Sequence, residues 1–137
     1  MSFFGWGPNS VESSQLGLVT NPTTATLLAE VDLNSSMVHV KAGGQTFGVT
    51  WILSVPTTVA TFLCDHALST GVASTGIRNQ IAAPLSSNQT IQLFTKHHVQ
   101  STQQTTAAAG QGDRFRVRLA SSFTGSAGAK IIVEPLV

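Results

Sequence analysis

Two adjacent histidines, His97 and His98, are the first candidates for metal chemistry in this sequence. They fall in an alternating run, and neighbouring residues of an extended strand point to opposite faces, so the pair cannot chelate one ion from a strand. His39 and His66 are isolated, and no HExxH or paired CxxC motif is present. We therefore predict no metal and no cofactor, with a metal site assembled by the fold as the alternative.

Nucleophilic catalysis would need a cysteine or serine beside a base. The single cysteine, Cys64, lies in the apolar run "ATFLCDHAL", which predicts a core residue and excludes an internal disulfide. Alternation puts Cys64 and His66 on one strand face and Asp65 on the other, and no GxSxG turn surrounds a serine. Glu30 and Asp32 share a strand face and are acid–base candidates, although a solvated face is the favoured interpretation. We predict that the chain is not an enzyme, and a small hydrolase built from dispersed residues is the alternative.

Three arginines alternate along "DRFRVRLA" at positions Arg114, Arg116 and Arg118. On a strand they lie roughly 6.5–7 Å apart and project from one face, where like charges repel unless they are compensated. One interpretation is solvation or cross-strand pairing with acids, of which the candidates are Glu30, Asp32, Asp65 and Glu134. The other is a fork of donors for carboxylates of a partner protein, and we predict the three arginines as partner contacts. Nucleic acid is a third, weaker interpretation, because that face has no aromatic platform.

The chain opens with "MSFFGWGPNS", so that Phe3, Phe4 and Trp6 are three of its nine Phe and Trp residues. A secretory leader is not expected, because the first positive residue is Lys41 and glycine and proline interrupt any apolar run. We interpret residues 1–26 as an extended arm and predict its three aromatics as partner contacts. The alternatives are packing on the chain's own domain and disorder.

From Leu27 onward, short runs of alternating apolar residues are separated by turn-forming residues, and no stretch has a capped helical pattern. We predict strands over 27–33, 37–41, 46–54, 58–68, 77–82, 89–99, 113–120 and 129–136. Loops are predicted over 69–76 and 101–112. About eight strands without crossover helices indicate an all-β, antiparallel, jelly-roll-like β-sandwich, a single domain over residues 27–137.

The composition limits the classes of partner. Charged residues are 9% of the 137 and the formal net charge is +1, whereas 46 residues are Ser, Thr, Asn or Gln. A near-neutral chain has no general electrostatic reason to bind nucleic acid or an anionic membrane, and no window approaches the roughly 18 apolar residues of a membrane span. Hydroxyls and amides lose less than charges on desolvation, so such a surface suits packing against protein.

Three stretches carry a resemblance to a known family. They are "VTWILSVPTTVATFLCDHALSTG", "SSNQTIQLFTKHHV" and "QGDRFRVRLASSFTGSAGAKIIVEPL", within residues 46–136. Together they resemble the capsid cement, or decoration, proteins of tailed bacteriophages, of the kind found in Bordetella podophages. The likeness is one of texture: a "GDRFRVR" strand, a "TGSAGAKI" turn and a Ser/Thr/Gln-rich exterior.

The resemblance implies a jelly-roll virion protein that forms homodimers or homotrimers. It implies attachment to the outside of the major capsid shell, where such proteins bridge capsomers, after synthesis in the host cytoplasm. The rival from another class is a receptor- or glycan-binding β-sandwich module of a phage tail or fibre, which would need aromatic platforms and Asn/Asp-rich loops.

Overall fold

A computed structural model describes residues 11–12, 17–33, 44–55, 59–67, 77–99, 113–122 and 124–136. These residues form nine β-strands and no helix. The strands are β1 (Val11–Glu12), β2 (Leu18–Thr20), β3 (Ala29–Asp32), β4 (Gln45–Val55), β5 (Ala60–Ala67), β6 (Ile77–Leu85), β7 (Gln89–Val99), β8 (Arg114–Leu119) and β9 (Ser126–Pro135).

The strands form two antiparallel sheets with the connections of a jelly roll. β1 and β2 pair with two ends of β9 and make one interrupted strand. Sheet A has the order β1/β2, β9, β4, β7, and sheet B has the order β3, β8, β5, β6. With β1/β2 counted once, the first strand pairs with the eighth, the second with the seventh, the third with the sixth and the fourth with the fifth. This nesting is the double Greek key, so the predicted fold class is confirmed.

The hydrophobic core lies between the two sheets. Alternation along β4 sends Phe47, Val49, Trp51 and Leu53 inward, as predicted, and all four are completely buried. Fully burying an aliphatic side chain such as Val49 contributes about 1.5–3 kcal/mol. The facing sheet supplies side chains of the same kind, namely Val31, Phe62, Phe115, Val117 and Leu119.

Seven of the eight predicted strands are confirmed, and the strand predicted over 37–41 lies outside the described residues. β7 has the predicted bounds, whereas β9 begins three residues earlier than predicted, at Ser126. β6 continues beyond residue 82 to Leu85 and includes Pro84. A proline is tolerated there because β6 is an edge strand and needs ladder hydrogen bonds on one side only.

Part of the predicted arm belongs to sheet A. β1 and β2 fall within residues 1–26, and both pair with β9 of their own chain. A two-way contact fixes the end of β2, because the Asn21 N–H donates to the Gly125 carbonyl and the Gly125 N–H donates to Asn21 Oδ1 at 2.9 Å. Gly125 has φ of 135°, a conformation that glycine adopts without strain. Neither strand is predicted from the sequence, since each is too short to show alternation.

Candidate functional site

The outer face of sheet B carries a row of polar side chains that crosses all four strands. The register aligns them, because Arg116 lies opposite Glu30 on one side and Asp65 on the other, and Asp65 lies opposite Gln80. We call this set the sheet B polar row, with members Glu30 and Asp32 on β3, Arg114, Arg116 and Arg118 on β8, Asp65 on β5 and Gln80 on β6.

One end of the polar row is a forked contact between β8 and β3. Arg114 donates from Nη1 to Glu30 Oε2 and from Nη2 to Asp32 Oδ2, and both distances are 3.3 Å. The planar guanidinium can hold two carboxylates at once, which a lysine cannot do with the same geometry. The fork therefore fixes the edge strand β3 to the rest of sheet B.

Asp65 is the centre of the row. Its Oδ2 accepts from Arg118 Nε at 2.9 Å and from Arg116 Nε at 3.3 Å. Its Oδ1 accepts from Gln80 Nε2 at 2.7 Å. One carboxylate thus joins three strands, β8, β5 and β6.

The arginines and Asp65 at the centre of the row are largely closed to solvent. The side chains of Asp65 and Arg116 are 0% exposed, and those of Arg114 and Arg118 are 4% and 11% exposed. Burying charges costs several kcal/mol per ion, which the pairing and hydrogen bonds must offset. The sheet B polar row is consequently a structural unit whose members depend on one another.

These contacts match one of the three interpretations of Arg114, Arg116 and Arg118, namely cross-strand pairing with acids. Three of the four candidate acids, Glu30, Asp32 and Asp65, pair with the arginines, whereas Glu134 lies on β9 in the other sheet. Contact of Arg114, Arg116 and Arg118 with a partner protein is not tested by these contacts and stays a prediction. Arg118 is the best placed of the three, because part of its side chain reaches the surface.

A second polar group lies between the sheets, in the core. Nε2 of His66 is 2.9 Å from Oδ1 of Asp113, and both residues are buried. Trp51 Nε1 donates to Thr95 Oγ1 at 2.8 Å. The Thr95 hydroxyl lies 2.6 Å from His97 Nε2 and can donate its own proton to that nitrogen. The rings of His66 and His97 meet edge to face with centroids 5.1 Å apart.

The surroundings shift the acid–base behaviour of two groups in the core. Burial, and secondly the neighbouring His66, lowers the pKa of His97 to about 4, so His97 is neutral at neutral pH. Burial, and secondly the charge of Asp65, raises the pKa of the Cys64 thiol to about 12. Cys64 is 2% exposed, which confirms its predicted place in the core, and a protonated buried thiol is a poor nucleophile.

The outer face of sheet A differs in character. Alternate residues of β7 form an exposed row, the β7 outer row: Thr90, Gln92, Phe94, Lys96 and His98. Phe94 is 52% exposed and its ring lies against Gly48 of β4, where a Cβ atom added to the glycine would come within 2.6 Å of Phe94 Cζ. His97 and His98 point to opposite faces, as predicted, with His97 buried and His98 exposed.

Several residues predicted from the sequence as contacts or loops lie outside the described residues. Phe3, Phe4 and Trp6 lie outside the described residues, as do the predicted loops 69–76 and 101–112. Within the described ranges, no group of three or more His, Cys, Asp or Glu side chains is placed to hold a metal ion. The same part of the chain contains no helix long and apolar enough to span a membrane.

Three residues of these sites are not singled out by the sequence. Strand alternation places Gln80 on the same face as Asp65, but nothing in the sequence marks this glutamine as its hydrogen-bond partner. Asp113 is predicted at the start of a strand, and its approach to His66 depends on the fold. Phe94 is an apolar residue on the otherwise polar face of its strand, and this break in the alternation could have predicted an exposed aromatic side chain.

No protein-family model and no curated protein sequence matches the chain. Solved structures do match. The CBM22-1–GH10 modules of Clostridium thermocellum xylanase 10B, solved with xylohexaose, match 96% of this chain at 11% identity and a TM-score of 0.54, and this chain spans 26% of that one. At that identity the match shows a shared fold.

Viral proteins are also among the structural neighbours. A chain of the equine rhinitis A virus capsid matches over 93% of this chain and 71% of its own, at 14% identity and a TM-score of 0.49. PRD1 vertex protein P5 matches over 93% of this chain and 96% of its own, at 6% identity and a TM-score of 0.47. The neighbours of this β-sandwich thus include capsid proteins and carbohydrate-binding modules.

Proposed function

We propose that the protein is a virion structural protein, a cement protein that binds the outside of a phage major capsid shell and bridges its capsomers. The proposed partners are the major capsid protein and further copies of this chain, as a homodimer or homotrimer. The proposed location is the capsid exterior, reached from the host cytoplasm during assembly.

The main support for the proposal is that more than half of the charged residues are paired or buried within the domain. Six of the thirteen charged residues form the ion pairs of the sheet B polar row, and a seventh, Asp113, is buried beside His66. The exposed positions of β6 and β7 are in contrast mostly Asn, Gln, Thr and Ala. A surface of neutral polar groups can be covered by protein at low desolvation cost.

The same placement of charge supports the proposal that nucleic acid is not a partner. Phosphate binding relies on exposed Lys and Arg that release counterions from the nucleic acid. Arg114 and Arg116 are buried and paired with carboxylates, and Arg118 shares Asp65. The arginine cluster of β8 therefore has its partners within the sheet.

The aromatic arm supplies the proposed anchor. Burying one aromatic side chain removes about 150–250 Å² and contributes roughly 4–6 kcal/mol gross. Ordering each residue of the arm costs about 1–2 kcal/mol of backbone entropy, so the net gain from Phe3, Phe4 and Trp6 is small for one copy. A homodimer or homotrimer that engages two or three arms at once would turn that gain into stable attachment.

Co-sedimentation with shells of the encoding phage that lack this protein tests the proposal. We expect binding at a fixed stoichiometry, and deletion of residues 1–8 should weaken it while circular dichroism shows an intact β-fold. A matched variant with Phe3, Phe4 and Trp6 replaced by serine keeps the arm's length and should weaken binding equally. Normal loading of both variants would contradict the anchoring role of the arm.

A second candidate function is glycan or receptor binding, and exposed Phe94 is the observation that favours it. Its ring lies on the outer face of sheet A between Gln92 and Lys96 of the same strand, and an aromatic ring with nearby polar groups can hold a sugar. Glycan-array binding by the isolated protein that is lost in Phe94→Ala would favour this function. Shell binding retained in the same variant would favour the cement protein.

A further inference from the structure

The edges of the two sheets are not equally protected against pairing with other strands. A free edge presents unpaired backbone N–H and C=O groups, and proteins protect such edges with short strands, interruptions or proline. β3 has four residues, β1 and β2 form an interrupted strand, and β6 contains Pro84. β7 has none of these features.

β7 is a long and regular edge strand. Its eleven residues pair with β4 in one unbroken register, from Gln89 opposite Val55 to Val99 opposite Gln45. No described strand pairs with its other edge. The side of β7 that faces the core is also incompletely covered, because Ile91, Leu93 and Thr95 are only partly buried.

We propose that the free edge of β7 pairs antiparallel with β7 of a second copy, in a two-fold register centred on Phe94. A two-fold interface uses one surface twice, and it is the commonest symmetry of homo-oligomers. The pairing joins the two A sheets into one continuous sheet. It does not depend on attachment to a shell.

Side-chain complementarity selects this register. With Phe94 opposite its own copy, Gln92 lies opposite Lys96, and Thr90 lies opposite His98. Aromatic pairs opposite one another stabilise antiparallel strands, whereas like charges opposite one another destabilise them. A lysine on an edge strand often prevents pairing with another strand. In this register, however, Lys96 lies opposite the amide of Gln92 and beside the ring of Phe94 of the second copy, and not opposite a second lysine.

The same register covers the partly open inner side of the strand. Leu93 lies opposite Thr95, and Ile91 lies opposite His97, so the apolar side chains of each copy extend over the other. A strand from an unrelated partner would have to supply this complementarity, whereas a second copy contains it.

Sedimentation velocity of the full chain without shells, over a concentration series, tests the pairing. We expect a reversible monomer–dimer equilibrium. A protein that stays monomeric up to its solubility limit would overturn the proposal, and so would a trimer. Because shells are absent, this result is independent of the proposed attachment to a capsid shell and tests only the self-association.

Charge substitutions test the register. Gln92→Lys places a lysine opposite Lys96 twice in the dimer and should raise the dimer Kd about 2- to 30-fold, and Gln92→Glu should lower it by a similar factor. Asn79→Lys, an exposed position on β6, is the matched control and should leave the Kd unchanged. Equal effects of the two Gln92 variants, or an effect of the control as large, would overturn the register.

Cross-linking gives a second test with a geometric control. Phe94→Cys places two cysteines opposite each other, within the Cα separation that a disulfide allows. Gln92→Cys places them about 14 Å apart along the strands, too far for a bridge. We expect oxidised dimers of the first variant only, since Cys64 is buried. Equal cross-linking of both variants, or the absence of a cross-linked Phe94→Cys dimer, would contradict a second copy in this register.

Discussion

The outer faces of the two sheets deal with polar residues in opposite ways. On sheet B, Asp65 and Arg116 are both 0% exposed and are paired with each other, so the charges hold strands together. On sheet A, the β7 outer row is exposed and mostly neutral, with Phe94 at its centre. The comparison shows that the conspicuous charged residues of a sequence can serve the fold, while a plainer strand remains available for contact.

The largest effect is expected at the centre of the sheet B polar row. Asp65→Asn keeps the shape but removes the charge that Arg116 and Arg118 share, and breaking a buried ion pair costs about 3–5 kcal/mol. Lys96→Gln removes a charge from the β7 outer row and should change the free energy of unfolding by less than about 0.5 kcal/mol. Denaturant unfolding measures both, and similar losses would end the distinction between the two faces.

The two histidines of β7 extend the comparison to pH. The unfolded chain protonates His97 near pH 6.5 and the folded chain near pH 4, so the unfolded state binds more protons between these values. Stability from this group is therefore lost as the pH falls through that window, by about 3 kcal/mol, and the loss levels off below it.

Unfolding free energies from pH 7 to pH 4 test this pH dependence. His97→Gln should flatten the profile relative to the unsubstituted protein, because its side chain does not titrate. His98→Gln, on the exposed face of the same strand, is the control and should leave the profile unchanged. A flattening of the same size in the control would contradict the assignment to the core histidine.

Arg118 can be tested for two roles, stabilising the fold and contacting a partner protein. Arg118→Gln removes the 2.9 Å bond to Asp65 and should lower the free energy of unfolding by about 1.5–3 kcal/mol. Shell attachment of the same variant tests the partner contact predicted from the sequence. Weaker attachment with a smaller salt dependence would support that contact, and unchanged attachment would assign Arg118 to the fold alone.

The smallest effect is expected where Phe94 lies over Gly48. Gly48→Ala forces the ring aside, since the added methyl carbon would come within 2.6 Å of Phe94 Cζ. Because an exposed side chain can rotate away, we expect the free energy of unfolding to change by less than about 1 kcal/mol. Fluorine NMR of a fluorinated Phe94 should nevertheless show a changed environment, and an unchanged signal would contradict the packing.

Strong alternation makes most of the fold predictable, and its absence explains the misses. β4 and β7 have eleven residues each. Apolar residues recur at every second position of β4 from Phe47 to Val55, and in β7 the apolar Ile91, Leu93 and Val99 share the inward face with Thr95 and His97, which defines both strands and their inward faces. β1 and β2 have two and three residues, too few for a period, and only their pairing with β9 defines them.

The sites are predictable to the extent that they follow strand geometry. Alternation places Arg114, Arg116 and Arg118 on one face, but the neighbours of β8 follow from the order of the strands in the sheet. That order brings Glu30 and Asp65 to opposite sides of Arg116, although Asp65 lies 51 residues away along the chain. Sequence spacing therefore supplies the set of candidate acids without choosing among them.

Co-sedimentation with shells at low and high salt tests the proposal that a largely neutral surface attaches this protein to a capsid. Salt screens exposed charges and leaves neutral contacts nearly unaffected. We expect attachment at the same fixed stoichiometry in both conditions. Absence of attachment, or its loss at high salt, would contradict the claim.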